Sequence, residues 1–396
     1  MSSEALKERQ VQNEKSVMLK EIALQSSFVR DNIAPMLEFM REVLRDREPG
    51  ALRHGFAIGC GDSYAAAIAV RSYMMKATGR MIEPVEALEF SRYLVADLPP
   101  DSFVFGVSNS GAVSRTIEGV RLAREKGAWT FAVTVSAETN LAKAAETLIK
   151  VNAPPNIKEQ PDGSKVITPG SVTYTASMLG LFIAAIAFGE RIGHLDAANV
   201  KTLVTELETL PAAMAAADAT VRPLAKEIAH TFTRDRKTVI LGGGPNYATA
   251  YFGMAKWFEG LTRPCHPTEL EEWAHEQYFF TDEMTDTIIL APPGAGRDRA
   301  LEQAQAAREM GSRVIIIGRE GDAAAKAASD IYFGMPDLPE ALTPFIYKLP
   351  FEYMSCYIAD QQNIAFLGFD NKRRQEVNFR QIFHSAQAKA EPAVRI

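Results

Sequence analysis

The sequence predicts an α/β protein made of two doubly wound parallel-sheet domains in tandem. Three observations carry this. Short apolar segments alternate with helical segments along the chain, without the polar alternation of a half-exposed strand. Strands buried on both faces belong to parallel sheets with helices on either side. The chain also repeats itself. FAIGCGDSYAAA at 56–67 aligns with VILGGGPNYATA at 239–250, pairing Gly59, Gly61, Tyr64, Ala65 and Ala67 with Gly242, Gly244, Tyr247, Ala248 and Ala250. AREKG at 123–127 aligns with AREMG at 307–311 at nearly the same offset. A period of about 180 residues is too long for a solenoid and marks a duplicated domain. Finally, 396 residues accommodate two such copies and short end segments.

The elements follow in order. Residues 1–30 mix Glu, Lys, Arg and Gln with scattered apolar positions and lack the apolar core of a signal peptide. They are expected to form a lead-in helix. FAIGC at 56–60 is a strand that feeds a helix through about Ala77. SFVFGVS at 102–108 is the next strand, followed by a helix over 113–126. WTFAVTV at 129–135 precedes a helix over 139–147. Helices around 173–189 and 196–233 close the first domain. Their most apolar run, Met178 to Phe188, has 11 residues. A bilayer span needs ~20, so a buried helix is expected and no membrane partner. In the second half TVILGG, DTIILAP and RVIIIG are strands, each followed by a helix. The expected division is a lead-in at 1–30, a first domain at 31–215 and a second at 216–396, with the boundary near Pro211 to Pro223.

Lys plus Arg is 43 and Asp plus Glu 49, for a net charge of −6. Such a chain has no basic stripe for nucleic acid. Cys60, Cys265 and Cys356 are too few and too far apart for a disulfide framework or a cysteine zinc site. A reducing, cytoplasmic location is expected.

One turn carries chemistry. Strand 102–108 ends in Ser108-Asn109-Ser110-Gly111, with Thr116 inside the next helix. A hydroxyl-rich turn at a helix N-terminus directs hydroxyls, backbone N–H groups and the helix dipole at one point. Gly59-Cys60-Gly61-Asp62-Ser63 makes a second strand-to-helix turn, and the two together would hold a phosphate or another tetrahedral anion. The plain alternative is that Ser and Asn cap the helix. Against it, Ser108, Asn109 and Ser110 align in the repeat with Pro292, Pro293 and Gly294. The fold therefore does without the hydroxyls there, which favours a ligand in the first half. GCGDSY lacks the third glycine of a dinucleotide fingerprint, so no nicotinamide cofactor is expected.

GCGDSY, the strand–SNSG–helix unit and the partial repeat resemble the tandem SIS (sugar isomerase) proteins, over nearly the whole chain. The organisation is similar to the isomerase half of glucosamine-6-phosphate synthase and to fructosamine-6-phosphate deglycases. The resemblance implies flavodoxin-like SIS domains. MLKEIALQS at 18–26 resembles the family's lead-in helix, TPGSVTYTASM at 168–178 its loop-closing segment, and ELEEWAHE at 269–276 its ELKHG region. The synthase's glutaminase domain and catalytic Cys have no counterpart in this sequence, so glutamine-dependent synthesis is not expected.

The resemblance also implies an acid–base pair. Glu259 and His275 stand 16 residues apart, as the family's Glu and His do, with Lys256 and Glu272 at matching positions. A carboxylate suits proton abstraction between C1 and C2 of an open-chain sugar. A histidine can open the ring or shuttle protons between oxygens, and Lys256 can steady developing negative charge. The catalytic candidates are Glu259, His275 and Lys256. The substrate-binding candidates are Ser63, Ser108, Asn109, Ser110, Thr173 and Glu272. No metal and no cofactor is expected. His266, read as lying in a turn between Pro264 and Pro267, and His384 are further possible contacts.

Three departures leave the anion open, a sulfonate included. Asp62 replaces a family Thr. Ala112-Val113 replaces the Glu-Thr of SGET, with Arg115 as a possible source of charge. Phe379 falls where the synthase has its Schiff-base lysine, with Lys372 out of register, so no enzyme Schiff base is expected. The basic segment 371–381 either reaches an acidic part of the substrate or is solvated. The expected activity is deglycation of an Amadori-type ketosamine 6-phosphate. The alternatives are an aldose–ketose isomerase, an amino-sugar-phosphate deaminase, or a sensor that binds without turnover. The family's sites are shared between subunits, which implies a homodimer.

Overall fold

The apolar runs of the first half become the inner strands of a five-stranded parallel sheet. A computed structural model describes residues 3–154, 157–159 and 165–387. The outermost residues of the expected lead-in and tail, 1–2 and 388–396, lie outside them. The strands are β1 (His54–Gly59), β2 (Met81–Glu86), β3 (Ser102–Val107), β4 (Trp129–Thr134) and β5 (Thr147–Lys150), in the order β2-β1-β3-β4-β5. One face buries Ile58, Val104 and Ala132 against Phe90, Val120 and Leu141. The other stacks aromatic rings: Phe105 on Phe131 at 4.7 Å between centroids, and Phe103 on Phe188 at 5.2 Å. Phe188 belongs to the helix Val172–Arg191. That helix has 20 residues and is long and apolar enough to cross a membrane, but the apolar window is wholly enclosed in this core.

After a short antiparallel hairpin of β6 (Ile157–Glu159) and β7 (Lys165–Ile167), the second sheet comprises five strands. These are β8 (Lys237–Gly242), β9 (His266–Glu269), β10 (Thr285–Ala291), β11 (Arg313–Arg319) and β12 (Ile331–Met335). Their order is β12-β11-β10-β8-β9. Read from the other edge, this is the same 2-1-3-4-5 topology. Val239, Leu241, Ile289, Val314 and Ile316 form its core with Trp273 and Leu270. The repeat extends to backbone dihedrals. Gly61 and Gly244, each before a helix, have φ/ψ of 56/−127° and 55/−131°.

The chain partitions into two units that interleave in sequence. One holds the first sheet and comprises Ser27–Pro155, Val172–Glu208 and Arg373–Ile396. The other comprises Met1–Ser26, Asn156–Ser171 and Thr209–Lys372. The sequence-based divisions after residues 30 and 215 fall inside the helices Ser3–Leu44 and Leu210–Ile228. The expected helix over 196–233 is two helices, Ala197–Glu208 and Leu210–Ile228, with Pro211 in the first turn of the second. The expected helix over 139–147 ends at Ala144, because the chain turns into β5.

Candidate functional site

The first sheet reverses its strand order between β1 and β3. In doubly wound sheets, ligands bind at that point, outside the carboxyl ends of the strands. The turns that leave β1 and β3 there are Cys60–Gly61 and Ser108–Gly111. The second is tied down through its backbone. Ser108 N donates to Val133 O at 3.1 Å, and Asn109 O accepts from Val135 N at 3.2 Å and Thr134 Oγ1 at 3.1 Å. Gly111 turns the chain at φ 60°, and a Cβ there would run into Thr139.

With the backbone held, the side chains stand unused. Ser108 Oγ and Asn109 Oδ1 are buried without a hydrogen-bond partner, Ser108 being 2% exposed. Neither caps the following helix. It runs Ser114–Glu125, its N-cap is Val113, and no side chain caps it. The capping alternative therefore does not hold. A buried polar atom without a partner is costly; a bound anion could accept from Ser108 Oγ, and a sugar hydroxyl could donate to Asn109 Oδ1. Ser110 is exposed, and its Oγ accepts from Ala112 N at 3.3 Å. Ser63 is half-buried in the first turn of the helix Asp62–Thr78. Thr173 is buried in the first turn of the helix Val172–Arg191. Arg115 is committed elsewhere. It pairs with the fully buried Glu118, which also takes Arg92 at 2.8 Å, and its NH2 donates to Ser385 Oγ at 3.1 Å. Two arginines on one carboxylate leave a local net positive charge around Glu118.

The corresponding cradle in the second sheet is filled from within. A Cβ on Gly294 would run into the Glu340 carboxylate, which also lies near Gly244. Asn246, the repeat partner of Ser63, is fully buried and donates to Thr343 Oγ1 at 2.7 Å. Residues of this half thus occupy the space where the first half has unsatisfied hydroxyls.

The second unit holds the charged candidates. The helix Pro245–Leu261 places Lys256 and Glu259 one turn apart near its C-terminus. Lys256 is fully buried, and its Nζ donates to Glu259 Oε2 at 2.6 Å and to Gly170 O at 2.9 Å. It also stands 4.5 Å from the Phe252 ring centroid. Burying an ammonium is expensive unless it is paired, and here a carboxylate, a carbonyl and a ring meet it. The Glu259 side chain is 31% exposed. It is thus a carboxylate fixed on a buried cation that still reaches the surface.

His275 is placed differently. It ends the short helix Glu272–His275, whose Trp273 is buried. Its side chain is 66% exposed, and the carboxylate it meets is Glu271, with Nε2 to Oε1 at 3.6 Å. Glu272 is exposed too. His266, expected in a turn, stands on the edge strand β9 with its ring 5.6 Å from Phe280. Lys372–Phe383 is a helix with no buried residue, and Phe379 stacks on Phe383 within it. Among the described residues no three His, Cys, Asp or Glu side chains gather as a metal site.

Sequence reasoning missed a buried polar group beneath Lys256. Lys348 and Glu352 are each fully buried and paired at 2.8 Å. Gln25 joins them and donates to Ser171 Oγ at 3.0 Å. The signal was available: TPFIYKLPFEYM puts two opposite charges at i, i+4 inside an apolar run.

Residues 53–179, which hold both turns, match the family model described as SIS domain. Over most of its length the chain is similar to glutamine–fructose-6-phosphate aminotransferase. It is 23% identical over 363 residues to that aminotransferase from Agrobacterium fabrum, covering 90% of this chain and 57% of the relative. The chain thus spans about half the length of the curated relatives it matches. Among solved structures, the C-terminal domain of glucosamine-fructose-6-phosphate aminotransferase from Francisella tularensis superposes with a TM-score of 0.73 at 18% identity. That match covers 86% of this chain and 95% of the other. Tagatose-6-phosphate ketose/aldose isomerase from Escherichia coli superposes with a TM-score of 0.65 at 14% identity, covering 87% and 93%. At these identities the likeness is one of fold.

Proposed function

We propose that this chain is an enzyme of the sugar-phosphate isomerase kind, with Glu259 as the base that moves a proton between C1 and C2 of an open-chain anionic sugar. The observation that carries this reading is the carboxylate itself, fixed by a buried Lys256 yet reaching the surface. Ser108 supports the anion half of the reading, because its buried hydroxyl lacks a partner within the protein, and the buried Asn109 Oδ1 suits a sugar hydroxyl that donates to it. Ser63, Ser110 and Thr173 complete the binding set, and Glu272 with His275 the acid–base set. An exposed imidazole is suited to protonate oxygen or nitrogen on a substrate that reaches it. His275 precedes the exposed Tyr278 and Phe279 in the chain by three and four residues, which fits a surface covered by a second copy of the chain. A shared-site homodimer is part of this proposal.

The particular reaction proposed is deglycation. Glu259 takes a proton from C1 of a ketosamine 6-phosphate, and the electron pair forms an enolamine. Return of a proton to C2 gives the imine of the aldose. Water adds to C1, the C–N bond breaks, and aldose 6-phosphate and free amine leave. Such a substrate brings its own nitrogen, so no enzyme amine is required, consistent with Phe379 where the family resemblance places a lysine. The test is Glu259→Gln with fructosamine 6-phosphate, following glucose 6-phosphate release and deuterium uptake from solvent at C2 of that product. The expected result is a loss of both by at least about a thousandfold with substrate binding retained. Turnover that survives the substitution removes Glu259 as base. A wild-type protein that binds sugar phosphates without turning any over favours the sensor.

A further inference from the structure

The fully buried pair Lys348–Glu352 has no evident structural purpose. A buried ion pair returns little net stability, and a well-packed apolar replacement often serves as well. Its surroundings suggest another role. Glu352 Oε1 takes Lys348 Nζ at 2.8 Å, and Oε2 takes Gln25 Nε2 at 2.8 Å. Gln25 returns its carbonyl oxygen to the Lys348 ammonium and donates to Ser171 Oγ at 3.0 Å. The next residue back, Gly170, supplies the carbonyl that holds Lys256. The ring of Phe252 also lies between the two cations, with Lys256 Nζ at 4.5 Å and Lys348 Nζ at 5.7 Å from its centroid. Glu21 stands nearby as a further buried carboxylate, occupied by Lys158 at 3.1 Å and by Thr168. Two routes, one through residues 170–171 and one through an aromatic ring, therefore join Lys348 to Lys256 and so to Glu259.

We propose that Lys348, Glu352 and Gln25 are positioning residues. They fix the Gly170–Ser171 bend, and through it they hold the Lys256 ammonium in the one place from which it pairs with Glu259. The inference deepens the proposed function and rests on it for the role of Glu259 as base. An amide that binds both members of an ion pair and the Ser171 side-chain hydroxyl ties all three together. A carbonyl so fixed presents one direction to Lys256.

The test is the double variant Lys348→Met/Glu352→Leu, which removes both charges at once and avoids an orphaned buried ion. Two readouts are taken. The first needs no turnover: the titration of the Glu259 carboxyl carbon by 13C NMR, assigned with Glu259→Gln. The second is steady-state kinetics. The expected result is a folded protein in which Glu259 titrates higher by about one pH unit, because a loosened ammonium stabilises its carboxylate less. The kcat falls about tenfold with KM unchanged. A folded double variant with unaltered Glu259 titration overturns the proposal, whatever its activity. If the titration moves but the wild type turns over no sugar phosphate, the positioning role stands and the functional reading falls. Should the double variant fail to fold, Gln25→Leu leaves the ion pair intact. It is expected to move the titration in the same direction, and no movement overturns the proposal.

Discussion

Ser108 is the side chain at which the proposed ligand site can be told from a structural turn. Its Oγ is buried with no partner in the protein, so Ser108→Ala removes a group that contributes nothing to the unliganded fold. The variant is expected to melt at the wild-type temperature or slightly above it. Its affinity for a sugar phosphate is expected to fall about tenfold or more, the usual worth of a hydrogen bond to a charged group. Thermal denaturation and calorimetric titration read the two effects. A structural hydroxyl would give the reverse, a lower melting temperature and unchanged affinity. The proposal for this residue could be made from the sequence because the chain contains its own control, the repeat segment with Pro292 and Gly294 in place of hydroxyls. The role of Glu340 was not legible, because a carboxylate folding back onto Gly294 from 46 positions further along leaves no local pattern. The pairing of His275 with Glu271, and its exposure, likewise depend on how a four-residue helix turns its faces.

Among the elements, the six apolar inner strands were legible and the other strands were not, for a physical reason. β3 is buried at every position, and the apolar runs of β1, β4, β8, β10 and β11 are also mostly buried. Their sequences are accordingly continuous hydrophobic runs. β2 carries Glu83 and Pro84, β9 reads HPTE, and β5 and β12 alternate in burial. All four lie at sheet edges, where proline and charge are tolerated and the apolar signal fades. The turns after the inner strands are set by backbone geometry that only glycine meets easily. Gly61 and Gly111 both have positive φ, but a Cβ has open space at Gly61 and meets Thr139 at Gly111. Gly61→Ala is expected to cost about 1–2 kcal/mol from backbone strain alone. Gly111→Ala adds a collision in the packed turn and is expected to cost about 1–3 kcal/mol more. Urea unfolding of both variants checks the ranking. Equal losses would mean that the turn at Gly111 yields without resistance.

At the scale of the molecule, the unit carrying Glu259 depends on residues from the far end of the sequence, and this shapes its response to pH. Glu14, on the first helix, is 5% exposed and accepts from the backbone N of Phe366 at 2.7 Å and from Gln10 Nε2 at 2.7 Å. Burial raises its pKa from 4.5 to about 7 despite these hydrogen bonds, with Asp370 adding to the rise. The sign follows from proton counting. Between pH 4.5 and 7 the folded chain keeps a proton at Glu14 that the unfolded chain has lost, so stability falls as pH rises through that window. A shift of this size corresponds to roughly 3 kcal/mol lost by pH 7.5 relative to pH 4. Glu21 is also raised by burial and adds a slope of the same sign. Glu14→Gln isolates the first contribution, because the amide oxygen can still accept from Phe366 while no proton can be lost. The difference in unfolding free energy between variant and wild type should therefore grow in favour of the variant from pH 5 to pH 7.5, by about 2–3 kcal/mol in urea titrations. The Glu21 contribution cancels in that difference. A difference that stays flat across the window would mean that the carboxylate is solvated. The contact of the first helix with Phe366 would then be looser than the 2.7 Å hydrogen bond requires.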